Sequence, residues 1–234
     1  MVPAPHPSPA TPDAADSRAR LLSAALRLFA ENGFAKTSIR QIAEAAGANT
    51  ALISYYFGDK KGLYNAAYAE PLGGPLQADA GPDGNSLDIF LEQFLTGFMR
   101  PLDMGDQVEL CMRLHFREML DPTGLWQQEL DSEIKPLHST LIRLLCQAVG
   151  APAPDDDIHR LALAISALPL QYYAHRDLIQ QMAPQLLNDP ECLQATTRRL
   201  IDFAHHLIAG ETRRRQTPRS EERRVGKECE KMCR

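Results

Sequence analysis

Aromatic residues make up only 6% of this 234-residue chain, and there is a single tryptophan. No apolar run approaches the ~20 residues that a membrane-spanning helix needs. The first residues, MVPAPHPSPATPDAA, lack both a basic start and an apolar core. They are not expected to form a secretory signal, and residues 1–15 are expected to be a disordered leader. Five cysteines (Cys111, Cys146, Cys192, Cys229, Cys233) show neither disulfide nor zinc spacing. That pattern implies a reducing, cytoplasmic setting. The chain also lacks a Gly-rich phosphate loop, a nucleophile elbow and a paired-His helix motif, which excludes the usual enzyme signatures. His205 and His206 are adjacent and point to different helix faces, while His138, His159 and Cys111 have no partner at ligand spacing. No metal, no cofactor and no catalytic residue are therefore expected.

What remains is an ordinary soluble composition, with 44% hydrophobic and 24% charged residues. The net charge of −5 hides an uneven distribution. Residues 1–70 carry seven Lys/Arg against six Asp/Glu, residues 71–210 nine against nineteen, and residues 211–234 nine against five. A near-neutral head on an acidic body suits nucleic-acid contact through the head alone, because phosphate binding needs only local positive charge.

Within the head, Ile39 to Gly58 reads IRQIAEAAGANTALISYYFG and meets three constraints of a helix-turn-helix. Ala43 sits where two helices cross and only a small side chain fits. Gly47 falls where the first helix ends and the chain turns left-handed at little steric cost. Ile53 plugs the angle between the helices. Such a unit delivers its second helix to the DNA major groove.

Apolar residues at Leu22, Ala25, Leu26 and Phe29 mark a first helix from about Asp16 to Asn32, with Gly33 as its left-handed stop. Ser38-x-x-Gln41 matches a capping box, Asn49 or Thr50 caps a short third helix, and Lys60 opens a fourth. A break at Pro71–Pro75 and a Gly/Asp/Pro-rich loop over Gln77–Asn85 separate head from body. Five helices follow: Ser86–Leu102, Asp106–Leu120, Leu125–Val149, Asp155–Arg176 and Pro190–Ile208. Pro136 and Pro169 should kink or split theirs. The expected fold is all-α: a DNA-binding head over 16–76 (motif 39–58), a ligand-binding and dimerisation bundle over 77–212, and a basic tail over 213–234. RSEERRVGKECEKMCR (219–234) abruptly loses apolar periodicity and resembles a translated vector or sequencing-adapter scar, the alternative being a native basic tail.

The blocks SRARLLSAALRLFAENGF, TSIRQIAEAAG and SYYFGDKKGL, with Tyr56-Phe57 followed by Lys60 and Leu63, carry a resemblance. Residues 16–70 resemble the TetR family of bacterial one-component regulators. HFREMLDPTGLWQQELDSEIKPLHSTLIRLL and LPLQYYAHR in the body look like the ligand domain of the CecR-like subgroup. The resemblance implies a homodimer joined through the last two long helices, with Ala162, Ile165, Leu200, Phe203 and Leu207 as contacts. It also implies that Tyr56 and Lys60 hold DNA phosphates. Family members commonly carry Tyr where this chain has Ser54.

The residues themselves add the rest of the DNA-contacting set. Thr37 and Ser38 place hydroxyls at a helix start suited to phosphate, and Arg40 projects from the same helix. Asn49, Thr50 and Ala51 lie nearest base edges, with Ser54 and Tyr55 further along. Thr37, Ser38 and Asn49 serve equally as plain helix caps. In the body, candidate pocket residues are Phe94, Phe98, Met112, His115, Phe116, Met119, Trp126, Gln171, Tyr172 and His175. Arg113 or Arg117 would add a carboxylate site, although Arg117 beside Glu118 also fits a structural ion pair. The reading is a repressor released from a palindromic operator by a small-molecule inducer, with no membrane partner. The alternatives are a ligand-dependent activator, or a small-molecule carrier or adaptor that no longer binds DNA.

Overall fold

The computed structural model describes residues 12–72, 84 and 86–217. In chain order its helices are α1 (Pro12–Lys36), α2 (Ile39–Ala45), α3 (Thr50–Phe57), α4 (Lys60–Ala69), α5 (Leu87–Met99), α6 (Asp106–Leu120), α7 (Leu125–Glu129), α8 (Lys135–Val149), α9 (Asp156–Ala174), α10 (Arg176–Met182) and α11 (Pro190–Gln216). Short 3-10 turns cover Glu70–Leu72, Arg100–Asp103 and Pro184–Leu186, and a π-helical turn covers Leu130–Ile134. There is no strand among the described residues. The leader up to residue 11, most of the 77–85 loop and the 219–234 tail lie outside them.

The helices form two compact units. The first unites α1–α4 with the segment Arg100–Glu133, so α6 and α7 belong with the head although they lie far along the chain. Its core stacks Leu21, Leu26 and Phe29 of α1 on Ile42 of α2, Ile53 of α3, Leu63 and Tyr64 of α4, and Cys111 and Leu114 of α6. Burying side chains of this size stabilises by roughly 1.5–3 kcal/mol each. The path of α1 breaks at Gly33, where φ is 80° and ψ 169°, a backbone state that a Cβ would strain. The positive φ is that of the expected glycine stop, with ψ outside the left-handed helical basin, and α1 begins ahead of the expected Asp16 start. Residues 12–15, expected in the leader, are therefore helical backbone.

The second unit holds α5 and α8–α11. Its core joins Phe90, Leu91 and Leu95 of α5 to Leu141 and Leu145 of α8, Ile158, Ala162 and Ile165 of α9, and Leu200 and Ala204 of α11. Ala162, Ile165 and Leu200 thus face inward, which corrects their assignment as partner contacts: their apolar surface is used within their own unit. Phe203 and Leu207 stay exposed on α11, as does Leu163 on α9. Arg215 pairs with Asp155 at 2.8 Å, tying the end of α11 to the start of α9.

The proline expectations divide. The helix expected over Leu125–Val149 is split, but before Pro136, which sits in the first turn of α8 where a missing N–H costs nothing. Pro169 lies inside α9, and the helix continues past it to Ala174. Residues 176–186 form α10 and a 3-10 turn that the periodicity did not reveal, and α11 runs beyond Ile208 to Gln216.

Gly62 carries a constraint of its own. A Cβ built there would lie 1.9 Å from the Phe57 carbonyl oxygen, so the turn between α3 and α4 closes only over a glycine. Gly62→Ala is expected to destabilise the protein by about 1–3 kcal/mol despite alanine's better helix propensity. Thermal denaturation checks this, and unchanged or raised stability would refute it.

Candidate nucleic-acid interface

The α2–turn–α3 unit is fixed by its own backbone chemistry. Ser38 caps α2: its Oγ accepts from the Gln41 N–H at 3.2 Å, while the Gln41 side-chain oxygen accepts from the Ser38 N–H at 2.8 Å. This is the expected capping box, closed in both directions. At the other end Gly47 has φ 57°, the Ala48 N–H bonds the Ala43 carbonyl at 2.9 Å, and the Gly47 N–H bonds the Glu44 carbonyl at 3.1 Å. The pair of bonds is a Schellman motif, which satisfies carbonyls the helix end leaves open. Asn49 then caps α3, its side-chain oxygen accepting from the Ala51 N–H at 2.9 Å. Ala43 and Ile53 are buried at the crossing.

That geometry sorts the side chains of α3. Ile53 points into the core and Leu52, Tyr56 and Phe57 are half-buried, while Asn49, Thr50, Ala51, Ser54 and Tyr55 face solvent. Tyr55 is 79% exposed and meets Tyr56 edge-on, ring centroids 4.9 Å apart. Ser38 and Arg40 are exposed on α2. A cleft of about 460 Å³ lies here, lined among others by Lys36, Ser38, Ser54 and Lys60.

The Thr37 hydroxyl is turned away from the phosphate role expected of it, although the residue lines the cleft. It is only 2% exposed, and its hydroxyl donates to the carbonyls of Leu28 at 3.1 Å and Gly33 at 2.9 Å. Its role is to close the α1 break. Arg18 was missed: its guanidinium lies 5.0 Å from the Phe57 ring centroid and grips the Glu70 carboxylate at 2.6 and 3.0 Å. It thereby bridges the end of α3 to the end of α4. Nothing local in the sequence pairs Arg18 with Glu70, fifty-two positions away.

The pocket candidates divide between the units. In the first, His115 is buried and stacks on Tyr68 with ring centroids 3.8 Å apart. Its Nδ1–H donates to the Cys111 carbonyl at 2.8 Å, leaving Nε2 facing the Glu129 carboxylate at 3.8 Å. Burial holds the imidazole pKa below its ordinary value, against the pull of that carbonyl and carboxylate. The same burial pushes the Cys111 thiol up to about 12, so it stays protonated and inert. Tyr68 donates its hydroxyl to Glu129. Met112, Phe116 and Trp126 are half-buried, whereas Met119 is exposed. In the second unit Phe94 is a core residue between Phe90 and Phe98, Tyr172 is half-buried, and Gln171 and His175 are exposed. Arg113 pairs with Glu109 at 3.3 Å and Arg117 donates to the Glu31 carbonyl at 3.0 Å.

Glu118 therefore forms no ion pair with Arg117. It is 0% exposed and receives the Tyr64 hydroxyl at 2.7 Å, the Thr123 hydroxyl at 2.9 Å, and the N–H groups of Thr123, Gly124 and Leu125 at 2.6, 3.1 and 3.1 Å. Burial alone would raise its pKa, but these donors together hold it below the usual carboxylate value. Among the described residues no three His, Cys, Asp or Glu side chains could share a metal ion, and no helix is long and apolar enough to cross a membrane.

Comparison with known proteins bears on both units. Residues 21–67 match the family described as bacterial regulatory proteins, tetR family, and residues 88–210 match the HTH-type transcriptional dual regulator CecR, C-terminal domain. The HTH-type transcriptional dual regulator CecR of Shigella flexneri is 32% identical over 152 residues, 59% of this chain and 67% of that protein. The HTH-type transcriptional regulator RutR of Escherichia coli is 31% identical over 165 residues, 66% of this chain and 72% of that one. Among solved structures, a linker-substituted HlyIIR mutant aligns with a TM-score of 0.54 at 22% identity, covering 80% of this chain and 96% of that one. NalD, described as the secondary repressor of the MexAB-OprM multidrug efflux pump in Pseudomonas aeruginosa, aligns with a TM-score of 0.51 at 20% identity, covering 83% and 97%.

The Glu118 arrangement sets a pH dependence. A carboxylate whose folded pKa is depressed contributes stability that is complete above its unfolded value and is lost as pH falls through the folded one. Glu118→Gln should destabilise by about 1–3 kcal/mol at neutral pH, because several buried donors lose a charged acceptor. It should also flatten the decline in stability below about pH 4.5. Thermal melts over a pH series decide this, and an undiminished acid slope in the variant would contradict it.

Proposed function

This chain belongs to the TetR family of bacterial transcription regulators, and we propose that it works as a homodimeric repressor, released from a palindromic operator by a small-molecule inducer. The observation that carries this reading is the face of α3. A turn built on Gly47 and Ala43 presents Asn49, Thr50, Ala51, Ser54 and Tyr55 together to solvent beside Ser38 and Arg40. Side-chain amides, methyls and a phenol are the groups that meet base edges and backbone in a major groove. Tyr56 and Lys60 flank the face as phosphate contacts. An intact reading face also weighs against a carrier or adaptor that has given up DNA. The description of the CecR relative as a dual regulator favours a second reading in which bound protein also activates some targets.

A single eight-residue helix spans too few base pairs for selective binding, and two-fold symmetry doubles the contact. Leu163 at 62% exposure, Phe203 at 41% and Leu207 at 39% supply apolar surface on α9 and α11 for that interface. Phe203→Glu should shift the protein towards monomer in sedimentation and lower operator affinity with it. A variant that stays dimeric would remove Phe203 from the interface.

The inducer acts by favouring a conformation whose two heads no longer fit successive half-sites. By linkage it releases DNA only as strongly as DNA weakens the inducer. Aromatic, Met and His residues among the pocket candidates favour an apolar or aromatic molecule. Gel-shift with the region upstream of the protein's own gene tests the core of the reading: binding should be selective and weaken steeply with salt. Absence of selective binding to any such fragment would overturn it. Small molecules can then be screened for thermal stabilisation together with loss of DNA binding. Run-off transcription with the same fragment separates repression from activation.

Asn49 separates capping from base reading. Asn49→Ser keeps an N-cap oxygen and removes the amide, whereas Asn49→Ala removes both, at a cost of about 1 kcal/mol in stability. If Asn49 reads a base, Asn49→Ser relaxes preference at particular positions by ~1–3 kcal/mol without loss of stability. Unchanged sequence preference in Asn49→Ser would leave Asn49 as a cap only.

A further inference from the structure

Lys60 opens α4 with its ammonium 4.3 Å from the centroid of the Phe34 ring. That ring is itself held firmly. Tyr64 meets it edge-on at 5.0 Å, Phe29 stacks against it at 6.1 Å, and the Tyr64 hydroxyl is anchored to Glu118 at 2.7 Å. Neighbouring Asp59 accepts from the Gly62 N–H at 2.7 Å, and no carboxylate pairs with Lys60 among the described residues. The distinction matters chemically. A carboxylate partner would neutralise the lysine and have to be displaced by a phosphate, whereas an aromatic face attracts the cation and leaves its charge available. Lysine on a flexible four-carbon stem otherwise loses much rotamer freedom when it binds.

We propose that Phe34 is a positioning residue for DNA binding: its ring holds the Lys60 ammonium beside the cleft lined by Lys36, Ser38 and Ser54 before DNA arrives. Phe34 touches no DNA and acts only through Lys60. The inference rests on the reading of Lys60 as a phosphate contact, and the test keeps the two apart.

The test is a double-mutant cycle with Phe34→Leu and Lys60→Gln, measured on the full chain with an operator duplex and with an unrelated duplex. Lys60→Gln should weaken both duplexes alike and reduce the salt slope by about one phosphate contact. If it weakens neither, the phosphate reading of Lys60 fails and the inference falls with it. Phe34→Leu should weaken both duplexes by about two- to five-fold when Lys60 is present, and by nothing in the K60Q background. An equal loss in both backgrounds would mean that Phe34 only packs the core, and would overturn the inference while leaving Lys60 as a phosphate contact. A second measurement needs no variant to fold. In the wild-type protein the Lys60 ε-methylene protons should be shifted upfield by the ring current of Phe34, and unshifted protons would overturn the inference.

Discussion

A carboxylate with no exposed surface is costly unless both of its oxygens find donors. Glu118 meets that condition by drawing the turn at 121–126 around itself and by taking the Tyr64 hydroxyl. Two separate facts follow from the one bond network. The corner between α6 and α7 has no freedom to open without stranding the charge. And α4, through Tyr64, is tied to α6, fifty-four positions away in sequence. The packing of Phe29 and Phe34 around Tyr64 is built on a ring whose position the carboxylate determines.

The outward face of α3 depends on a different set of groups. Ser38, Gln41, Gly47 and Asn49 satisfy the helix ends of α2 and α3 from within the motif itself. These bonds are all short-range, so the outward residues can vary while the turn stays the same. Asn49 shows the tension in this plan. Its oxygen is already bonded to the Ala51 N–H, so any base contact must share the acceptor or use the amide donors alone.

Legibility in the sequence follows this division. The Ser38 capping box, the Gly47 turn and the buried Ala43 and Ile53 could be named beforehand because each is a short-range rule with fixed spacing. Thr37 was misjudged for an equally physical reason. A hydroxyl at a helix start suits phosphate, and only the break at Gly33 reveals the inward carbonyls that take it. Glu118, Arg18 and the packing of α6 on α1 were hidden, since their partners lie far along the chain and periodicity carries no such information. The inward Ala162, Ile165 and Leu200 illustrate the same limit: periodicity finds an apolar face, but not which neighbour covers it.

The scale of regulation can be set against these interactions. A ligand that lowers DNA affinity about a hundredfold must distinguish the two conformations by roughly 2.7 kcal/mol. A surface ion pair such as Arg113–Glu109 contributes too little for that, typically below about 1 kcal/mol. Losing a buried hydrogen bond to a charged group costs about 1.5–3 kcal/mol. Tyr64–Glu118 and Tyr68–Glu129 are bonds of this kind, and both end on α4. A conformational change of α4 would have to meet or exploit bonds of this magnitude.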